Sequence, residues 1–507
     1  MNTKKYILLF AALLLVFDSC KKDPLNLNPP DQIATTTFFK QKSDFDEALA
    51  AVYASMQTEE FSYGMGFRDC LTDDAYNQFN SGNVTSIDQG DLSATIGGYQ
   101  QAIYDDAYTG IARVNNFLQQ LAAYKNADIT DAIRKQYTGE VMFVRAFMYY
   151  QLYTIYGDVP LVTQTLTLAT EKQPKVPAAQ ILAQIESDLN YGITNLSPQP
   201  YISNYGHACA SSAQALLARV LIFAAYQGTG TVDPTMMTQV RDLCKAVVPQ
   251  YSLDPTYINV FRDATQATSK EVIFTINFLA PNNTAPWDLY YGNYDACAPY
   301  ENMVDDYECT DGLPWGTSPL TDKVNTFNNR DPRLSVSIFK GFVDWGNGNT
   351  YVPANPVPTG YGTKKFLEPK NIPYSFSTLS QQDAVILREA EVMLMYAEAE
   401  NEISGPDATV YQLTTAIRAR SGMPAYPAGL SQDQMRQRIR HERRIELAFE
   451  GLRHFDLIRW HIAGPTLNGL NTGVITFNWQ DKFYEWPLPQ TEIDKSGGVL
   501  VQNPSYK

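Results

Sequence analysis

The sequence is poor in the residues that reactive chemistry draws on. Its only histidines are His207, His441, His454 and His461, and no H-E-x-x-H spacing occurs. There are 6 cysteines in 507 residues and no C-x-x-C pair, which excludes zinc-ribbon and dithiol-redox motifs. No G-x-S-x-G nucleophile elbow is present. Positive charge is scarce: 39 Lys and Arg stand against 54 Asp and Glu, for a net charge of −15. A chain of that sign repels phosphate backbones, which argues against nucleic acid as a partner. Long apolar runs are missing too. After the N-terminus the best is Leu216 to Tyr226 (LLARVLIFAAY), which is too short to span a bilayer and carries Arg219.

The N-terminus is different. Lys4 and Lys5 precede an uncharged apolar stretch, Tyr6 to Phe17 (YILLFAALLLVF), followed by Asp18, Ser19 and Cys20. The stretch is too short for a stable span and suits a signal-peptide core. A small residue before a cysteine at this place predicts a lipoprotein signal over 1–19. Cleavage before Cys20 would be followed by lipidation of Cys20. Phe17 and Asp18 depart from the usual residues, and the alternative is an ordinary secretory signal with an incidental cysteine. Residues 20–42, with Pro29 and Pro30 in NLNPPD, read as a lipidated N-terminus and tether. The chain is thus expected to be membrane-anchored and not membrane-spanning.

Most of the remainder has helical periodicity. Ser43 is the predicted cap of a helix from Asp44 to Gln57. Further helices are predicted at Tyr99 to Tyr124 and Thr130 to Tyr156, the latter stopped by Gly157. Pro177 opens the next helix, to about Leu196, and Ser211 to Tyr226 and Met236 to Val248 form another pair. From Tyr251 to about Ser380 the chain turns rich in Gly, Pro, Asn, Asp and aromatics, with a short strand at Glu271 to Phe278. An irregular stretch of this length in a compact protein is usually functional. Helix is predicted again at Asp383 to Glu402, on to Arg420, at Gln432 to Gly451 and near Leu452 to Trp460. The expected organisation is a helical region at 43–250, a loop-rich ligand lobe at 251–382, and a helical region with a tail at 383–507, packed as one unit. Periodicity alone gives a mostly α fold with a loop-rich lobe. Small residues at the helix contacts point to hairpins stacked as in tetratricopeptide repeats.

Six segments in order carry a resemblance. They are Leu25 to Tyr53 (with NLNPPDQ, TTTFF and FDEALAAVY), VRAFMYYQLYTIYGDVPLV at Val144 to Val162, and NRDPRL at Asn329 to Leu334. LREAEVMLMYAEAENE follows at Leu387 to Glu402, running into AIRARSG. Then come RRIELAFEGLRHFDLIRW at Arg443 to Trp460 and the C-terminal WPLPQTEIDKSGGVLVQNPSY. Together they cover essentially the whole chain, which resembles the SusD/RagB family of nutrient-binding outer-membrane lipoproteins. The resemblance implies a tetratricopeptide-like helix-pair superhelix supporting a loop-rich lobe with few short strands. It implies a lid over a TonB-dependent outer-membrane transporter that captures nutrient oligomers and does no chemistry. Glycans are the commonest ligands in the family, and peptides are taken by some members. Surface exposure of the anchored protein is implied in the same way.

The residues have readings of their own. Arg145 lies in an apolar helix and should be paired. Glu442, Arg443, Glu446, Glu450, Arg453, Asp456 and Arg459 offer opposite-charge pairs at helical spacing, read as a network holding helices to the lobe. Asp73/Asp74 and Asp305/Asp306 are adjacent doublets, poorly aimed for the two-carboxylate chemistry of a glycoside hydrolase. They would serve as solvated turns, or give oxygens to a structural calcium; no other metal or cofactor is expected. Cys297 and Cys309 could pair across a loop, or the thiols are buried and unpaired. His441 and His454 are read as structural.

A binder needs exposed aromatics beside hydrogen-bonding groups. Tyrosine is abundant at 32 residues, and its flat ring with one hydroxyl suits sugar stacking. Two loop stretches fit: Asp73 to Asn80, and Trp287 to Trp315. The candidate ligand residues are Tyr76, Asn77, Trp287, Tyr290, Tyr291, Tyr294 and Trp315, and family sites draw on the same two regions. A peptide importer of the same type, a glycoside hydrolase and a helical scaffold binding only protein are the alternatives.

Overall fold

The computed structural model describes residues 38–507 except 227, 356 and 379. The predicted signal, the lipidation site Cys20 and most of the tether lie outside the described residues.

Nine long helices form the frame among the described residues: α1 Lys42–Ala54, α2 Tyr99–Ala123, α3 Asp131–Tyr156, α4 Ala178–Asn195, α5 Ala210–Ala224, α6 Pro234–Val247, α7 Glu389–Ser404, α8 Ala408–Arg420 and α9 Gln432–Glu446. From α2 to α8 each helix packs on the one before, α1 packs on α2 and α3, and α9 packs on α7. The result is a superhelix of helix pairs, as expected. Close approach needs small residues: a Cβ on Gly139 of α3 would sit 2.9 Å from the Leu196 side chain at the end of α4. None of these helices, nor any other among the described residues, is long and apolar enough to cross a membrane.

The termini follow local chemistry. Thr130 caps α3 by accepting from the Ile133 amide at 3.3 Å, and Gly157 ends the helix at φ +67°. Asp233 caps α6 through the Thr235 amide at 2.8 Å. Two expectations need correction. The cap of α1 is Gln41 rather than Ser43, because the Asp44 carboxylate accepts from the Lys40 and Gln41 amides and draws the helix start back. The segment from Asp383 is not helical at first: Ala384–Arg388 is a strand, antiparallel to Val272–Ile276, with Ala384 opposite Ile276. Both segments are apolar and β-branched, and each completes the other's backbone hydrogen bonds, which outweighs the helical spacing of Leu387 and Ala390.

Between Tyr251 and Gln382 the chain forms short 3-10 and π turns, two short helices and strands of two to five residues, with Val272–Ile276 the longest. One contiguous apolar cluster runs through the helices and this segment, from Phe45 and Val141 to Trp287 and Phe366.

Buried ion pairs tie the parts together. Arg145 is bidentate to Asp188 at 2.7 and 2.8 Å and reaches Asn115 at 2.9 Å. Around α9 the pairs form a web. Arg333, from the NRDPRL segment, binds Asp331, Glu442 and Glu446 at 2.6–2.8 Å. Arg388 reaches Glu271, Glu446 and Glu450 at 2.7–2.8 Å. Arg418 joins Glu308 to Glu442, and Arg459 joins Asp456 to Glu398. The network does hold the helices to the lobe. Its partners are mostly distant in sequence, however, and few of the expected pairs along one helix are used. Burial disfavours the Glu398 charge, yet Arg459 holds its carboxyl down at about 2. Burial likewise opposes the Glu446 charge, and Arg420, Arg388 and Arg333 depress its pKa well below the carboxylate range.

Candidate ligand-binding surface

The two loop stretches singled out in the sequence meet. Ala75–Tyr76 pairs antiparallel with Ala298–Pro299, Ala75 opposite Pro299 and Tyr76 opposite Ala298. The Tyr300 amide donates to the Asp74 carbonyl at 3.0 Å, and the Asn302 side chain donates to the Asp73 carbonyl at 2.7 Å. The Gln78 amide donates to the carbonyls of Tyr294 and Asp295. Backbone pairing, which reads no side chain, therefore fixes the register of the two loops.

Beneath this join lie the acidic doublets. Asp73 and Asp74 are buried, not solvated. Arg453 binds Asp73 at 3.0 Å, and Arg444 binds Asp74 at 2.7 Å and Asp73 at 3.0 Å. Burial opposes the Asp73 charge, but Arg444 and Arg453 hold its carboxyl at about 2. Their oxygens are taken by guanidinium groups, so the expected turn and calcium roles do not describe them. Asp306 also pairs with Arg444 at 3.1 Å, while Asp305 is exposed. Among the described residues no group of three or more His, Cys, Asp or Glu is arranged to hold a metal. Cys297 and Cys309 are not paired; both are free and buried, as are Cys70, Cys209 and Cys244. His454 is buried beside Arg68, and burial pushes its pKa down to about 3; the His461 ring stacks on Tyr484 at 4.1 Å.

The seven candidates separate by environment. Trp287 is 0% exposed; its ring packs between Tyr291 and Phe366 and its N–H donates to the Gln382 carbonyl at 2.8 Å. Tyr291 is also 0% exposed, its hydroxyl donating to the Tyr63 carbonyl at 3.0 Å, and a Cβ on Gly66 would lie 2.8 Å from that oxygen. Asn77 is buried, accepting from the Ser81 amide at 3.0 Å through its side chain. These three are core or turn-forming groups with no face for a ligand, a correction to their place among the binding residues. Tyr76 is half-buried, its ring 6.4 Å from Tyr300. Trp315 is half-buried with the Arg330 guanidinium over its ring at 4.2 Å. Tyr290 and Tyr294 remain on a surface, both half-buried, with ring centres 6.4 Å apart.

Around Tyr294 the structure assembles rings that the sequence did not single out. Phe79 and Phe376 each lie 5.4 Å from Tyr294, both edge-on. Phe79 is 48% exposed and Phe376 76%. Tyr290 continues the row to Tyr63 at 5.7 Å, and Tyr63 to Phe278 at 6.2 Å. Gln78, Asn80, Asn293, Ser375 and Ser377 stand beside these rings in the chain, and none of them is buried. The signal available for Phe79 and Phe376 was their setting: each is a single large ring between turn-forming polar residues, QFN and SFS.

Comparison with known proteins places the chain. Residues 258–506 match the family model described as "SusD family", and residues 25–222 match a second, described as "Starch-binding associating with outer membrane". Together the two span most of the sequence. The chain is 26% identical to SusD-like protein P2 of Formosa agariphila, covering 99% of this chain and all of that protein. It is 24% identical to a SusD-like protein of Bacteroides ovatus, over 99% and 92% of the two. A SusD-like carbohydrate-binding protein from Bacteroides fragilis superposes with a TM-score of 0.78 at 22% identity, over 93% of this chain and 100% of that one. Surface glycan-binding protein A from Bacteroides thetaiotaomicron, solved in complex with laminarihexaose, gives a TM-score of 0.71 at 20% identity, over 91% and 99%. The superpositions establish the fold, and the family matches over residues 25–222 and 258–506 establish that this chain belongs to the SusD/RagB family.

Proposed function

We propose that the protein is a glycan-binding lipoprotein of the outer membrane, held at the cell surface through Cys20, that passes oligosaccharide to a TonB-dependent transporter. The observation that carries the reading is the row Phe79, Tyr294 and Phe376, in which Phe79 and Phe376 are exposed and Tyr294 is half-buried. A sugar ring offers an apolar C–H face and a rim of hydroxyls. Aromatic planes match the face, and the neighbouring amides and hydroxyls match the rim. Exposed rings of this size otherwise cost solubility, so their grouping asks for a partner. Binding without chemistry is part of the proposal. The carboxylate found against the row, Glu59, is taken up by the Tyr290 hydroxyl, which donates to it at 2.8 Å. Relatives described as glycan-binding proteins support the ligand class. The transporter as partner rests on family membership, with the shared membrane surface raising the encounter rate.

A glycan array probed with wild-type protein and with Tyr294→Ala/Phe376→Ala tests the site. Loss of the wild-type signals in the variant is expected; retention of all of them would move the site elsewhere. Gentle solubilisation and purification through a tag on this chain should recover a large β-barrel partner, and recovery of the chain alone would count against delivery. Acyl groups on Cys20 should appear by mass spectrometry and vanish, with the membrane fraction, in Cys20→Ala.

A further inference from the structure

Two neighbouring tyrosines of the row use their hydroxyls differently. Tyr290 has the Tyr294 ring at 6.4 Å and the Tyr63 ring at 5.7 Å. The Tyr290 hydroxyl donates to the Glu59 carboxylate at 2.8 Å, whereas among the described residues the Tyr294 hydroxyl has no hydrogen-bond partner. The Tyr290 ring also stacks on buried Phe67, with centres 5.5 Å and planes 26° apart. A tyrosine hydroxyl is the side-chain atom farthest from the backbone, so a bond made there fixes where the whole ring lies.

Glu59 is itself placed by a tight turn. Its carbonyl accepts from the Gly64 amide at 2.9 Å, and a Cβ on Gly64 would lie 2.7 Å from the Glu59 Cγ. A side chain at 64 would press on Glu59, and glycine lets the turn close. The carboxylate has no second role inside the chain: among the described residues it is in no ion pair and accepts from no other group. Arg68 donates instead to the Glu60 carbonyl at 3.3 Å and to the Tyr99 hydroxyl at 3.0 Å. Glu59 and Tyr290 are both half-buried, so the bond between them is partly shielded from water.

We propose that Glu59 is a positioning residue of the binding surface, holding the Tyr290 ring beside Tyr294 so that one glycan rests on both rings; the proposal rests on the reading that the aromatic row is the glycan site. Glu59 acts through the Tyr290 hydroxyl and not on the sugar. Tyr290 therefore serves the ligand with its ring alone, and Tyr294 offers a ring and a hydroxyl. Without Glu59 the Tyr290 hydroxyl turns to water, the ring loses its fixed place, and the ligand has to order it again on binding.

The probe is the oligosaccharide with the strongest wild-type signal on the glycan array, and affinity is read by isothermal calorimetry on variants whose fold circular dichroism has checked. Glu59→Ala should bind about fivefold more weakly, the worth of one aromatic contact. Glu59→Gln should stay within about twofold of wild type, because its amide oxygen still accepts from the Tyr290 hydroxyl. Tyr290→Phe, which keeps the ring and removes the donor, should match Glu59→Ala. The double variant Glu59→Ala/Tyr290→Phe should be no weaker than either single one, whereas Glu59→Ala and Tyr294→Phe should add. Losses that add in Glu59→Ala/Tyr290→Phe, or a Glu59→Gln as weak as Glu59→Ala, would overturn the positioning role. So would a Glu59→Ala that binds as wild type does while Tyr294→Ala/Phe376→Ala has lost the probe, and the site would then stand. An array on which nothing binds, or a probe indifferent to Tyr294 and Phe376, would overturn the site itself, and the positioning role with it.

Discussion

Two regions of this molecule gather special residues at high density, the charged web around α9 and the aromatic row beside Tyr294, and they differ in what is left unpaired. Around α9, Arg333, Arg388 and Arg418 are each 2% exposed or less and each holds two or three carboxylates. Guanidinium hydrogens and carboxylate oxygens largely satisfy one another, and little is left to offer a ligand. In the row, Phe79 and Phe376 keep surface that nothing among the described residues covers. Density of unusual residues is therefore a poor guide to function here, and the unspent valence of a group is a better one.

Breaking the web should have the largest effect. Arg388→Ala takes one cation from buried Glu271, Glu446 and Glu450, leaving them Arg420, Arg333 and Lys365, and removing one member of such a buried set costs about 3–5 kcal/mol. Denaturant titration should show that loss, with ligand affinity of the remaining folded protein unchanged. Trp287→Ala should behave alike despite lying in the sequence cluster that looked like a binding loop. Emptying a fully buried indole costs about 3–5 kcal/mol, and a loss of affinity without a loss of stability would return Trp287 to the ligand surface.

Acid should act on the buried ion pairs. Glu398 has its folded pKa depressed from 4.5 to about 2, so its contribution is fully present above the unfolded value and is lost as pH falls through the folded one. That shift corresponds to stability on the order of 3 kcal/mol, lost between about pH 4.5 and 2. Unfolding measured across that window should fall steeply in wild type and less so in Glu398→Gln, which starts less stable at neutral pH. Equal slopes would place the acid sensitivity elsewhere.

The row should give the smallest stability change and the clearest functional one. Phe376→Ala removes a ring that is mostly in water, so stability should stay within about 0.5 kcal/mol. Affinity for a glycan selected on the array should fall by about 1 kcal/mol, roughly fivefold, by isothermal calorimetry. Chelation by EDTA should alter neither number; a drop would bring a metal into the site.

The helical frame was readable because its signals are local. Thr130, Gly157 and Pro177 act within a turn of themselves, and the helices they bound were predicted within a residue or two. The strand at Ala384–Arg388 was missed because its partner lies more than a hundred positions away, and helical spacing in AVILREAE is compatible with either form. The site was half legible. Composition pointed to the two loops that meet, but the sequence of WDLYYGNYD does not reveal which rings turn inward. The buried Trp287 and Tyr291 and the surface rings Tyr290 and Tyr294 belong to one run, and the alternation is set by a π turn over Leu289–Asn293 and by Gly66 and Phe366 on the far side. The same limit hid the arginines over Asp73 and Asp74, since Arg444 and Asp74 are 370 positions apart.

The pairing of Ala75–Tyr76 with Ala298–Pro299 also bears on when the surface comes into being. Asn302 and Asp73 are 229 positions apart, and Tyr291 and Gly66 are 225 apart. Contacts of such long sequence separation form slowly, because closing the intervening loop costs entropy before the contact repays it. The first loop is made early during synthesis, yet Asp73 waits for 229 further positions before Asn302 exists. A nascent molecule thus carries Phe79 and Tyr294 on separate stretches until the second loop is made. The join of the two loops precedes its own support, since Arg444, which pairs with Asp74 beneath it, is 370 positions further along the chain.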